Sequence, residues 1–178
     1  MTVQLKKIIA IPGSTRKFST HLNLIRAVAD LAADKFEVTA YNRIDELPHF
    51  NPDLDNDSPP ENVAAFRRQL KEADGILICT PEYAMGVPGT LKNALDWTVS
   101  SSEFYRKPVA LITASSVGQK GHAALMETLK IIGSNITDET QLIIPFIKTK
   151  INSEGTITDP AVVVELKKFV DSFSRIVI

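Results

Sequence analysis

Five short apolar runs alternate with five stretches of helical periodicity along this 178-residue chain, and that alternation constrains the fold more than any other feature. Residues 7–12 (KIIAIP) form a compact apolar run that stops at Gly13, the pattern of a strand buried on both faces. Leu22, Ile25, Val28, Ala29 and Ala32 then recur at three- and four-residue spacing, which predicts an amphipathic helix. Residues 36–41 (FEVTAY) alternate and favour a second strand, whereas 42–58 carry prolines, asparagines and acids without periodicity and read as an exposed loop. Residues 58–61 (SPPE) have the spacing of a capping box with proline in the first turn, opening a helix to about residue 73. The third strand is 75–80 (GILICT), and Leu91, Ala94, Leu95 and Val99 mark the helix after it. Residues 108–114 (PVALITA) give the fourth strand. A helix near 123–132 ends at Gly133, a C-cap, and 140–146 supply the fifth strand. Asp159-Pro160 opens a last helix whose apolar face is Val162, Leu166, Phe169, Val170, Phe173 and Val177.

Strands and helices interleaved in this way predict an α/β fold, a doubly wound five-stranded parallel sheet with helices on both faces. One domain spanning 1–178 is expected, and a hydrophobic content of 44% suffices for its core. Twenty basic against 21 acidic residues leave a net charge of −1, so neither nucleic acid nor a membrane surface is an expected partner. The single Cys79 lies inside an apolar run and reads as a core residue, which leaves no disulfide framework or cysteine-rich metal site. The stretch MTVQLKKIIAIPG is too short in apolar residues for a signal peptide, and a cytoplasmic location is the expectation.

Ligands on such sheets bind beyond the carboxyl ends of the strands, where the strand order reverses. Three loops therefore carry the functional reading: 13–21 (GSTRKFSTH), 81–89 (PEYAMGVPG) and 115–121 (SSVGQKG). The first has the make-up of an anion cradle. Gly13 permits a sharp turn, Ser14, Thr15, Ser19 and Thr20 offer hydroxyls, Arg16 offers a forked cation, and a helix N-terminus follows. GxxxxGK[ST] is absent, since Lys17 precedes Phe18 with no second glycine, and so is GxGxxG. A mononucleotide phosphate remains. In the second loop Pro81 ends the ladder, and the backbone of Glu82, Tyr83, Ala84, Met85 and Gly86 is placed to face a flat ring, Gly86 allowing close approach. A planar heteroaromatic ring with a hydrogen-bonding edge suits that rim; flavin fits it and a phosphate does not.

These residues resemble the NAD(P)H-dependent FMN reductases of flavodoxin-like fold. Gly13, Ser14, Arg16 and Ser19 look like that family's G-S-x-R-x-x-S-x-N phosphate loop, and PEYAMGVPGTLKNALDW (81–97) looks like its long P-E-Y-N-x-x-x-P-G-x-L-K-N-A-L-D-W motif. TASSVGQKG, with Ser115, Ser116 and Gly118, is similar to its small-residue loop beside the flavin ring. Three positions depart: His21 stands where Asn is usual, although imidazole also donates to phosphate; Ala84 stands where Asn is frequent; Gln119 and Lys120 follow Gly118 in place of an arginine. The resemblance implies bound FMN, NADPH or NADH as co-substrate, and a small-molecule electron acceptor such as a free flavin, quinone, azo dye or metal oxyanion. It also implies a homodimer or homotetramer with FMN near the subunit contact. Cofactor chemistry demands no protein nucleophile or proton shuttle, so no catalytic side chain or metal ligand is expected, and His49 and His122 stay unassigned.

Other classes fare worse on the residues. A flavodoxin-type electron carrier resembles this chain in architecture, but carriers have T-x-T-G-x-T loops and strongly acidic surfaces, against Arg16 and a net charge of −1 here. A signalling domain of the same architecture needs clustered carboxylates after the first strand, and Gly13-Ser14-Thr15-Arg16 has none. The segment from Lys92 to Trp97 reads as scaffold, with Trp97 packed, and the resemblance implies that this helix lies near the subunit contact, where Asp96 could pair with a base of the neighbouring subunit.

Overall fold

A computed structural model describes residues 5–16 and 19–177; Lys17 and Phe18 of the first loop lie outside the described residues. Strands β1 (Lys6–Pro12), β2 (Phe36–Ala40), β3 (Gly75–Thr80), β4 (Val109–Ser115) and β5 (Gln141–Pro145) form one sheet in the order β2-β1-β3-β4-β5, all neighbours parallel. Between them run α1 (Thr20–Leu31), α2 (Glu61–Glu72), α3 (Gly89–Asp96) and α4 (Gln119–Ile131), and α5 (Pro160–Ile176) closes the chain. The expected doubly wound α/β architecture is therefore present. The order reverses between β1 and β3, the switch point at which flavodoxin-like sheets hold their ligand.

The two-residue period of the strands sorts the core into two layers. Ile9, Ile11, Ile76, Ile78, Val109 and Leu111 face α2, α3 and α4. Ile8, Ala10, Leu77, Cys79, Ala110 and Ile112 face α1 and α5. Both faces are covered, which is why β1, β3 and β4 read as unbroken apolar runs. Cys79 is fully buried, and burial pushes its thiol pKa up, as a core residue requires.

Four local expectations change. The capping box at 58–61 does not form: Ser58 accepts nothing from the helix, its own N–H donates to Asn56 Oδ1 at 2.9 Å, and Pro60 is the N-cap, without a side-chain cap. Two prolines in series carry no N–H and move the helix start two residues past the serine. Val99 lies beyond α3 and is 60% exposed. Helix α4 begins at Gln119, four residues earlier than its periodicity suggests, on Gly118 in the left-handed conformation (φ 94°). Finally, 42–58 is a loop but a pinned one, with Ile44 and Leu47 buried and single 3₁₀ turns at Ile44–Glu46 and Pro52–Leu54. Trp97 Nε1–H donates to Pro48 O at 2.8 Å, Asn93 Oδ1 accepts from Phe50 N–H at 2.7 Å, and Arg67 pairs with Asp55 at 2.7 Å. The Lys92-to-Trp97 stretch is thus scaffold, and Asp96 pairs within its own helix with Lys92. Gly133, at φ 74°, follows the C-cap Ile132 as expected. No helix is long and apolar enough to cross a membrane among the described residues.

Candidate active site

A cleft of ≈ 380 Å³ opens at the carboxyl ends of the strands, and the first, second and third loops all line it. From the first loop come Ser14, Arg16, Ser19, Thr20 and His21; from the second Pro81, Glu82 and Tyr83; from the third Ser115 and Ser116. Gly13 makes the convergence possible. Its N–H donates to Cys79 O at 2.8 Å, and a Cβ there would lie 2.2 Å from Thr80 Oγ1, so only glycine lets the first loop cross the end of β3.

Ser19 and His21 have a different job from the one their sequence position suggests. Ser19 is the N-cap of α1, its Oγ accepting from the His21 N–H at 3.1 Å. His21 Nε2 lies 2.8 Å from Ala114 O, and since a carbonyl only accepts, Nε2 carries the ring proton. Nδ1 then accepts from the Ser19 hydroxyl at 3.2 Å. Burial lowers the His21 pKa, partly offset by the Ala114 bond, and so favours this neutral tautomer. Both ring nitrogens are spent within the protein. His21 is a brace tying α1 to β4 in place of the phosphate donor that its position suggests. The groups left to face an anion are the Ser14 and Thr20 hydroxyls, the half-exposed start of α1 and the exposed Arg16, which makes no ion pair among the described residues.

The second loop is a tight turn. Tyr83 N–H donates to Gly86 O at 3.1 Å and Gly86 N–H to Tyr83 O at 2.9 Å, with φ of 49° at Ala84 and 60° at Met85. Positive φ at both central residues is type I′ geometry, which normally selects Asn-Gly. Ala84 and Met85 sit on the outer tip, 74% of Met85 being exposed, and neither they nor Gly86 line the cleft. Glu82 turns inward instead. Its carboxylate accepts from Gly121 N–H at 2.6 Å and Gly118 N–H at 3.3 Å, capping α4 and locking the second loop to the third. Gly121 is required at that joint, because a Cβ would lie 2.8 Å from Gly86 O. Gly118 stays behind the wall, buried and left-handed, as the hinge into α4.

A fourth wall was not legible in the three loops. Phe146, Ile147, Lys148 and Thr149, on the turn after β5, line the same cleft. The signal for it was available, since the rule that ligands sit beyond strand carboxyl ends applies to β5 as well. His122, left unassigned by sequence, is buried and linked to Thr113 Oγ1 (2.8 Å) and Gln141 Oε1 (2.7 Å), where burial lowers its pKa. It pins α4 to β4 and β5. His49 is exposed.

The residues fit a flavin mononucleotide. One end of the cleft has hydroxyls, a guanidinium and a helix N-terminus for a phosphate; the other has a backbone rim and small side chains for a ring. Among the described residues no group of His, Cys, Asp and Glu is placed to hold a metal.

Comparison with known proteins agrees. Residues 6–148 match a family model described as NADPH-dependent FMN reductase. A 2-hydroxy-1,4-benzoquinone reductase from a Burkholderia species is 34% identical over 175 residues, covering 94% of each chain. The quinone reductase of Escherichia coli (strain K12) is 31% identical over 161 residues, covering 86% of this chain and 85% of its own. Among solved structures, the flavoenzyme NAD(P)H:(acceptor) oxidoreductase FerB of Paracoccus denitrificans superposes with a TM-score of 0.86 at 29% identity, covering 97% of both chains.

Proposed function

The chain belongs to the NADPH-dependent FMN reductase family and is an oxidoreductase, and from that premise we propose that the cleft at the β1/β3 switch point holds FMN and admits a quinone, flavin or similar acceptor. The observation that carries this placement is the convergence on one cleft of Ser14, Arg16 and Thr20 with Pro81, Glu82, Tyr83, Ser115 and Ser116. Arg16 and the Ser14 and Thr20 hydroxyls hold the phosphate at the start of α1. Ser19 and His21 shape that start as its cap and brace. The backbone of Pro81, Glu82 and Tyr83 meets the ring edge, Ala84, Met85 and Gly86 setting the turn outside the cleft, and Ser115 and Ser116 close the opposite side in front of the Gly118 hinge.

When bound, FMN supplies the redox chemistry, accepting hydride from NADPH or NADH and returning electrons to the acceptor. What the protein supplies is position. Glu82 keeps the second and third loops at fixed separation, and the buried braces of His21 and His122 keep α1 and α4 from moving against the sheet. The whole chain acts as one flavin-binding domain, in a cytoplasmic homodimer or homotetramer.

The test is spectroscopic. Purified protein is expected to show visible flavin bands, heat-released cofactor to chromatograph as FMN, and NADPH or NADH to bleach the bands without oxygen. Recovery of FAD would overturn the single-phosphate placement. If neither nucleotide bleached the flavin, the carrier reading would be favoured.

A further inference from the structure

Among the described residues, Lys148 is the one charged side chain lining the cleft that lies outside the three loops. It sits on the 3₁₀ turn Ile147–Thr149 immediately after β5 and lines the same cleft as Ser14, Arg16, Ser19 and Thr20. The turn is built to hold a position. Phe146 adopts the left-handed conformation (φ 54°), uncommon for a bulky side chain, and its carbonyl accepts from both the N–H and the hydroxyl of Thr149 at 2.9 Å. Ile147 is buried in the layer between the sheet and α1 and α5. Downstream, Lys150 N–H donates to Ile147 O at 3.0 Å and Lys150 faces Asp159 at 4.0 Å. Gly155, at φ 87°, lies so close to Asn23 of α1 that a Cβ would meet its amide at 2.4 Å. The segment after β5 is therefore folded back onto the first turns of α1, the helix whose N-terminus faces the anion site.

Charge decides what such a lysine is for. Among the described residues Lys148 makes no ion pair and Glu82 is the only carboxylate lining the cleft, its oxygens taken up by the amides of Gly118 and Gly121. A phosphate monoester carries about −1.5 to −2 charge at neutral pH. Arg16 contributes one positive charge and a helix N-terminus roughly half of one. Together they leave from zero to about half a negative charge uncompensated, which a further cation lining the same cleft meets.

We propose that Lys148 is the second cation of the phosphate site, binding the 5′-phosphate of the flavin from the β5 side while Arg16 binds it from the β1 side. The inference rests on the flavin reading above. A phosphate monoester also occurs as the 2′-phosphate of NADPH, and the presence of Lys148 in the same cleft as Arg16 and the start of α1 favours the flavin's.

The experiment removes the flavin from the full-length protein and titrates FMN and riboflavin, followed by fluorescence quenching, into wild type, Lys148→Gln and Lys148→Arg. Lys148→Gln is expected to weaken FMN binding about tenfold, the worth of one charge-assisted contact. Riboflavin affinity is expected to be unchanged, and Lys148→Arg to restore FMN binding. FMN affinity in Lys148→Gln should also depend less steeply on salt than in wild type. Equal FMN affinity in Lys148→Gln and wild type would overturn the proposal. So would equal weakening of FMN and riboflavin, which marks a damaged turn. Unchanged FMN affinity with a KM raised for NADPH and not for NADH would move the lysine to the nucleotide. Wild type that does not distinguish FMN from riboflavin overturns the flavin reading itself, a separate outcome.

Discussion

Two loops of this molecule, 42–58 and 81–89, read alike as sequence: aperiodic and interrupted by prolines. Their physics is opposite. The first is held by side chains from elsewhere, Trp97, Asn93 and Arg67, which donate to its carbonyls and carboxylate or accept from its N–H, and its backbone needs no positive φ. The second is held by its own two-residue turn and by Glu82, and it keeps Ala84 and Met85 in the left-handed region. Unfavourable conformations persist where surrounding contacts over-determine them, and they cluster at ligand sites. The first loop contributes stability without touching the cleft; the second gives up stability to form one of its walls.

The largest test of that contrast is Trp97→Ala. Trp97 is fully buried, packs edge-on against Phe50 with centroids 5.1 Å apart, and donates to Pro48. Truncating a buried tryptophan costs about 3–5 kcal/mol. A fall in melting temperature of roughly 10 °C is expected from that loss. A milder variant, Trp97→Phe, keeps an aromatic ring against Phe50 but loses the indole donor and part of the packed volume, and it should retain flavin affinity per folded molecule. Loss of flavin affinity in a folded Trp97→Phe protein would show that the first loop reaches the site after all.

Arg16→Ala is the converse. An exposed arginine without an ion pair contributes little to folding, so thermal stability of the flavin-free protein should stay within about 0.5 kcal/mol of wild type. FMN binding should fall by about ten- to a hundredfold, from the loss of one charge-assisted hydrogen bond of about 1.5–3 kcal/mol. Riboflavin, lacking the phosphate, should bind both proteins alike in a fluorescence titration. Equal FMN affinity would place the phosphate elsewhere.

The sheet and its helices were legible because burial on both faces writes continuous apolar runs into β1, β3 and β4, and burial on one face writes the period of α5. The three loops that line the cleft were legible from residue types at strand ends. What stayed hidden depends on partners far away in sequence. His21 reads as a phosphate donor until Ala114, 93 residues on, takes its Nε2–H. The start of α4 looks like loop because its cap is a carboxylate 39 residues upstream of Gly121. Lys148 looks like an ordinary surface lysine, since nothing local tells that the turn after β5 folds back toward α1.

Glu82→Gln cuts the tie between the second and third loops while keeping the side chain's volume. Glutamine retains one acceptor for Gly121 N–H but loses the charge facing the N-terminus of α4, a loss of about 1 kcal/mol. The flavin-free protein should melt about 2–4 °C lower. If Glu82 lies on the ring side of the cleft as proposed, FMN and riboflavin should weaken together, unlike the phosphate-selective loss in Arg16→Ala. A phosphate-selective effect would mean that the carboxylate acts through the anion site.

Ala84→Gly gives the smallest change and tests the strain directly. An L-residue in the left-handed region costs about 1–2 kcal/mol, which glycine does not incur. Glycine in turn loses more conformational entropy on folding, about 0.5–1 kcal/mol relative to alanine. Relief therefore exceeds the entropic loss by about 0.5 kcal/mol, and the flavin-free protein should melt about 1–2 °C higher. Ala84→Asn should act in the same direction, because asparagine tolerates this conformation and is favoured at the first central position of a type I′ turn. Ala84→Val should do the reverse, since a β-branched side chain is least tolerant of positive φ. The methyl of Ala84 lies on the exposed tip and does not line the cleft, so FMN affinity should change less than twofold in the glycine variant. Thermal melts of the three flavin-free variants decide the matter by their order: glycine and asparagine above wild type and valine below it. Should glycine melt lower than alanine, the turn stores no strain at this position, and the contrast between the two loops would rest on Met85 alone.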